Sequence, residues 1–282
     1  MAEFTADTEP CDAGLKFLTR YLFMKTLLRL ICPVLLAVSA HADDAANGLA
    51  AKLGAMQQDG ASVVRLKMEV QGAGKSTLQL QIKQRRSGAG TEVVYQVLWP
   101  KERAGEAVLL RKMGGGAATG TVFTPPTTVR SLDGSQMKDA LLGSDLSYAD
   151  VVENFFLWKQ QAIVGTELVN RVSCDVLESK PGKGEHSNYG SVRTWVDRRR
   201  DVPLRVEKYS ASGKLVRRIE TTRVVSNDKK QAVPANLTVS GAGQGSVTEM
   251  NGASVKHGVS FGDREFSPAG FMEVSAVRAG GD

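Results

Sequence analysis

Residues 62–83 read SVVRLKMEVQGAGKSTLQLQIK, and two alternations run through them. Val64, Leu66, Met68 and Val70 alternate with Arg65, Lys67 and Glu69; Leu78, Leu80 and Ile82 alternate with Gln79, Gln81 and Lys83. A period of two sends successive side chains to opposite faces of an extended chain, so each run is a half-buried strand. Gly72-Ala73-Gly74 supplies the turn, and the pair reads as a hairpin. The turn runs on through Lys75-Ser76-Thr77 and imitates the end of a phosphate-binding loop. That motif needs a glycine where Glu69 stands and a helix where the second strand stands, so nucleotide binding is not expected.

The alternation continues outward. Val93, Tyr95, Val97 and Trp99 form a third run that stops at Pro100, and residues 107–112 a fourth, ahead of glycines 114–116. Runs at 119–124 and 127–132 flank Pro125-Pro126, which belongs at a strand end or edge because proline cannot donate to a ladder. The pattern then breaks. Ser147-Tyr148-Ala149-Asp150 has capping-box form, with Val151, Val152, Phe155 and Phe156 following on helical spacing, which predicts a helix from Ser147 to about Phe156. Strand patterns resume at 158–164, 172–179, 191–197, 202–209, 215–225, 237–240 and 247–261. Before the first hairpin, Asp43 to Gln58 is alanine-rich with Leu49, Leu53 and Met56 on one face, a short amphipathic helix with Asp43 and Asp44 at its favourable end. Long helices do not alternate with the strands, which disfavours a parallel α/β sheet. The expected architecture is mainly β, one large antiparallel sheet with a few helices.

Met24 to Ala42, MKTLLRLICPVLLAVSAHA, has the form of a secretory signal: Lys25 and Arg29, an apolar run over Leu30–Val38, and Ala40-His41-Ala42 at the cleavage point. Its uncharged stretch is too short to span a bilayer, which needs about 20 apolar residues. The reading is therefore a leader over 1–23 from a mis-assigned start, a signal peptide over 24–42, and one exported, periplasmic domain over 43–282 with no membrane anchor. The formal charge is +6. Export directs that charge toward anionic head groups or acidic partners, and no exposed aromatics interleave with the basic residues as a nucleic-acid platform requires. Cys11 and Cys32 fall in the removed segments, leaving Cys174 alone and no intramolecular disulfide.

Catalytic and metal constellations are missing from the pattern. His186 and His257 stand apart, with no carboxylate or cysteine at ligand spacing and no G-x-S-x-G signature, so no catalytic residue, metal ligand or cofactor is expected. Arg198-Arg199-Arg200-Asp201 reads as a solvated turn, with an anion-docking role as its alternative.

Gly143-Ser144-Asp145-Leu146-Ser147-Tyr148-Ala149-Asp150-Val151 resembles a segment of the outer-membrane lipoprotein-sorting protein family, the LolA-like periplasmic carriers. The resemblance continues in order through Gly165 and Glu167 with Cys174-Asp175-Val176-Leu177-Glu178 and Lys180-Pro181, Tyr189 with Thr194-Trp195-Val196-Asp197, Pro203 to Tyr209 with Gly213-Lys214-Leu215, and Phe266-Ser267 with Phe271. It implies an unclosed, strongly curved antiparallel β-barrel with helices over its mouth and an apolar cleft between. Leu80, Ile82, Val97 and Trp99 are the candidate cleft lining, and Val151, Val152, Phe155 and Phe156 the candidate lid. The implied function is a monomeric, non-enzymatic carrier of lipid or lipoprotein acyl chains in outer-membrane lipoprotein sorting, served by membrane-bound donor and acceptor proteins. The alternative is a periplasmic sensor or adaptor that grips a partner protein with the same fold; a secreted hydrolase using a histidine is a weaker third.

Overall fold

Alternation sets the strands, and their order sets the shape. A computed structural model describes residues 44–57, 60–72, 74–87, 89–227, 230–243 and 245–272. The leader, the signal segment, Cys11 and Cys32 lie outside them. Contacts divide the chain at residue 45, and the fold is that of residues 46–282. After helix α1 (residues 44–57) come β1 (Gly60–Gln71), β2 (Lys75–Ser87), β3 (Gly90–Trp99), β4 (Ala107–Met113), β5 (Thr119–Thr124) and β6 (Thr128–Leu132). A crossover segment carries helix α2 (Tyr148–Val152) and a 3-10 turn (Phe155–Leu157). Then follow β7 (Gln160–Val169), β8 (Val172–Lys180), β9 (Ser191–Asp197), β10 (Pro203–Tyr209), β11 (Leu215–Ser226), β12 (Ala232–Gly241) and β13 (Val247–His257).

All thirteen strands form one antiparallel sheet, ordered β6-β5-β4-β3-β2-β1-β13-β12-β11-β10-β9-β8-β7. Two meanders meet where β1 pairs with β13, from Ser62 opposite His257 to Gln71 opposite Val247. β6 and β7 are the two edges, so the barrel is not closed. The crossover begins at one edge and ends at the other, and must traverse the whole sheet. It does so over one face. Curvature also brings the halves together: Lys112 Nζ donates to the His186 carbonyl at 2.6 Å, and His186 N donates to Gly115 O.

Register explains how the apolar rows meet. Met68 faces Leu78, Leu66 faces Leu80, Leu80 faces Val97 and Tyr95 faces Val108, all on the concave side. With Ala46, Ala50 and Leu53 of α1 and Leu141, Leu146, Val152, Phe155, Phe156 and Trp158 of the crossover they make one core. Each such large side chain contributes roughly 1.5–3 kcal/mol on burial. The convex side carries two smaller clusters. Val94, Leu109 and Phe123 pack under Phe266 and Phe271, while Cys174, Val176, Trp195 and Leu204 pack near β7.

Four sequence expectations need correcting. β7 spans Gln160–Val169 rather than residues 158–164, and Trp158 falls in the crossover. The interrupting helix ends at Val152, because Glu153 is extended and the Asn154 side chain starts a separate 3-10 turn by accepting from Phe156 N. β12 begins at Ala232 rather than residue 237, and β13 ends at His257 rather than residue 261. Pro125-Pro126 does sit at a strand end, in the turn between β5 and β6.

Candidate functional site

The concave face is the one with a cover, and the chemistry of the cover starts at Ser147. Its hydroxyl and backbone complete a capping box with Asp150, which fixes the start of α2. Asp150 is buried, and its carboxylate is surrounded by donors: Tyr189 OH at 2.7 Å, Ser147 N at 2.7 Å, Lys208 Nζ at 2.9 Å and Arg217 Nε at 3.1 Å. Burial alone would raise this carboxyl. The charges of Lys208 and Arg217 and the Ser147 N–H outweigh it and hold the group at about 2. Burial and the neighbouring Asp150 charge push the Tyr189 phenol upward. A carboxylate this far down is locked in its anionic form and is a poor proton shuttle.

Other anchors repeat the theme. Asp145 accepts from Ser246 Oγ at 2.6 Å and Thr248 Oγ1 at 2.7 Å on β13. Glu153 accepts from Ser187 Oγ and Asn188 N. Arg86 Nη2 donates to Val151 O, and Gln161 Nε2 donates to the carbonyls of Phe155 and Trp158. The crossover is thus tied to β2, β7, β10, β11 and β13 by polar groups out of water, where hydrogen bonds and charges act most strongly.

Leu80, Ile82, Val97, Val152, Phe155 and Phe156 all belong to the concave core, and Val151 packs against it half-buried. Phe155 lies 4.4 Å from Phe156 and 6.2 Å from Trp158, ring centre to ring centre. Trp99 stands apart. It is 49% exposed at the end of β3, where the ladder slips between Gln79 and Leu80 and the chain turns at Pro100. A cavity of about 220 Å³ adjoins this region, walled by Val152, Asn154, Leu157 and Trp158 on one side and by Thr91, Lys112 and Glu185 on the other. A second of about 270 Å³ lies on the convex side, between Lys83, Val94 and Gln96 and the carboxy-terminal Arg264, Gly270 and Phe271. His186 and His257 are exposed and far apart in the fold, one in the β8–β9 loop and one at the end of β13.

Sequence reasoning missed Tyr189, Lys208 and Arg217 as partners of Asp150. Tyr189 and the segment around Lys208 lay within the motifs that carried the resemblance, but nothing in their spacing said that they converge on α2.

A family model described only as an uncharacterized protein matches residues 90–272, well over half of the chain. The chain belongs to this family. Solved structures extend the likeness to the fold. A DUF1329 family protein from Desulfovibrio piger superposes with a TM-score of 0.74 at 20% identity, over 82% of this chain and 99% of that one. A putative outer membrane lipoprotein-sorting protein domain from Vibrio parahaemolyticus gives 0.71 at 19% identity, over 82% and 99%. A LolA superfamily protein from Nitrosomonas europaea gives 0.61 at 18% identity, over 77% and 96%. No curated protein matches the chain. The open, curved antiparallel sheet of this family member is the LolA-like fold that the sequence motifs implied.

Proposed function

We propose that the protein is a non-enzymatic periplasmic carrier that holds acyl chains of lipoproteins or a related lipid against its concave face and delivers them toward the outer membrane. One observation carries this reading: the apolar face of an open sheet is covered by separate pieces of chain, α1 and the crossover, rather than by a second sheet. Such covers can part without breaking the sheet. An acyl chain in water loses about 0.8 kcal/mol per exposed methylene, so a soluble escort must keep it dry, and an apolar trough does this without any catalytic group. The likeness to a lipoprotein-sorting domain supports the same class of cargo.

Export of the protein from cells followed by mass spectrometry of an organic extract tests the proposal directly. Co-purified acyl lipid is the expected result, together with saturable capture of a fluorescent fatty acid. A lipid-free protein that binds no acyl probe would sink the carrier reading, and turnover of ester substrates lost on joint replacement of His186 and His257 by alanine would replace it with a hydrolase.

A further inference from the structure

β9 carries a lane that the carrier reading leaves unused. Val192, Thr194 and Val196 alternate on its concave side: Thr194 lies directly opposite Leu177 and Val206, and Val192 and Val196 belong to the concave core with Leu177. The next position on that side is Arg198, whose Nε reaches Asp175, itself opposite Val196. Arg198, Arg199 and Arg200 form the turn that ends β9, and all three are exposed at the rim. The lane therefore runs from a basic rim into an apolar interior.

Within it stands an unsatisfied group. Thr194 is fully buried, and its hydroxyl has no hydrogen-bond partner among the described residues. A buried donor left unpaired is costly, and natural structures seldom keep one without use. It points to a ligand atom that accepts a hydrogen bond at this depth. α1 covers the lane. Lys52 is ion-paired to Asp201 in the arginine turn, and Gly54 sits against Leu157 and Phe156. The face that α1 turns to the core is wholly apolar, Ala46, Ala50 and Leu53 with the half-buried Leu49 and Met56.

Resting on the carrier reading, we propose that the β9 lane seats one acyl ester of an anionic glycerophospholipid. The phosphate lies at the Arg198–Arg200 turn, the ester carbonyl accepts from Thr194 Oγ1, and the chain runs inward past Val192 into the space now filled by the α1 face. Arg198 lies four positions beyond Thr194, just past the end of β9, a reach of about 13 Å for extended chain that a glycerol backbone and an extended arginine fill together. Guanidinium is the group suited to phosphate, and Arg199 is free to turn toward it because its backbone N–H, not its side chain, serves Asp197. The orientation is the one an amphiphile requires, with charge at the rim and hydrocarbon in the core.

A pair of probes isolates the carbonyl: 1-palmitoyl lysophosphatidate and its 1-O-hexadecyl ether analogue share charge and chain length and differ at the ester. The wild-type protein is expected to bind the ester about fivefold to tenfold more tightly, the size of one neutral hydrogen bond. Thr194→Val should abolish that preference by weakening only the ester, with its urea midpoint unchanged or raised because an unpaired hydroxyl has been removed. Arg199→Ala, at an exposed site, should weaken both probes and flatten their salt dependence. A preference that is absent in the wild type, or that survives Thr194→Val, overturns the role of Thr194. Unchanged affinities in Arg199→Ala overturn the head-group assignment. If the wild-type protein binds neither probe nor any fluorescent fatty acid, the carrier reading itself fails.

Discussion

Asp150 is a charge where the fold can least tolerate one alone. Its side chain is inaccessible, Lys208 beside it is 1% exposed, and Tyr189 and Ser147 complete its shell. A buried pair of this kind adds little net stability over an apolar pair, but removing one partner strands the other. Asp150→Asn should therefore cost about 3–5 kcal/mol in urea unfolding at neutral pH. The sign of the pH effect follows from the depressed carboxyl. Its ordinary value is 3.8 and its folded value about 2, so the stabilisation is complete above pH 4 and is lost as pH falls through 2. The gap between wild type and Asp150→Asn should then narrow below pH 3; a gap that stays constant down to pH 2 would show that the carboxylate is not the source. Phe155 tests the apolar side of the same region. Packed against Phe156 and Trp158 with Lys208 Nζ 5.7 Å from its ring centre, it should cost about 3–5 kcal/mol on truncation to alanine. The proposed cargo site adds a weaker capture of fluorescent fatty acid. A large midpoint shift with unchanged affinity would leave Phe155 in the core and outside the site.

The two covers of the concave face differ in how they are held. The crossover is tied through Asp145, Asp150 and Gln161 to β13, β10, β11 and β7, and through Glu153 to the β8–β9 loop, all by groups at least partly out of bulk water. α1 is held by Ala46, Ala50 and Leu53, by the half-buried Leu49 and Met56, and by one exposed ion pair to Asp201, a pair worth only about 0–1 kcal/mol, with no buried charge of its own anchoring it. Segments with few buried contacts open locally at a free energy below that of global unfolding. Native-state hydrogen exchange should accordingly show the α1 amides exchanging by local opening, and the amides of Asp150 and Glu153 exchanging only near the global limit. Equal protection in both helices would remove α1 as the moving part. The sequence motif around Ser147 made the crossover look like the lid, since a capped aromatic segment between strands is conspicuous. What it hid is that Lys208 and Arg217 lie 58 and 67 positions away from Asp150, and only the meander of β10 and β11 brings them under α2. The strands themselves were legible because alternation between Leu80 and Gln81, or Val97 and Gln96, is a local signal. Their order was not. Nothing in the alternation of Val64 and Val70 says that β1 pairs with β13, and the exposure of Trp99 depends on a ladder slip that no periodicity records.

At the scale of the molecule, the open sheet would give the proposed carrier its reversibility and its speed limit. Two meanders whose ladders meet at β1 and β13 leave β6 and β7 as the sheet's edges, and the edge strands are kept short, as β6 is, or bulged, as β7 is between Ile163 and Gly165. The space beside the crossover, about 220 Å³, is lined in part by the polar Lys112 and Glu185. In the proposed carrier, uptake follows displacement of a cover. Binding that must wait for a minor open state has a rate that saturates with ligand, and its ceiling is the opening rate. Stopped-flow capture of a fluorescent fatty acid should therefore plateau as its concentration rises. Lys52→Ala removes the ion pair that fastens α1 to the arginine turn, and should raise that plateau by up to about fivefold, the ceiling set by an exposed pair worth at most about 1 kcal/mol. The affinity for an uncharged acyl probe should rise by a similar factor, since the variant spends more time open. A capture rate that grows linearly without limit, or a plateau indifferent to Lys52, would mean that the chain enters a molecule already open and that α1 is not its gate.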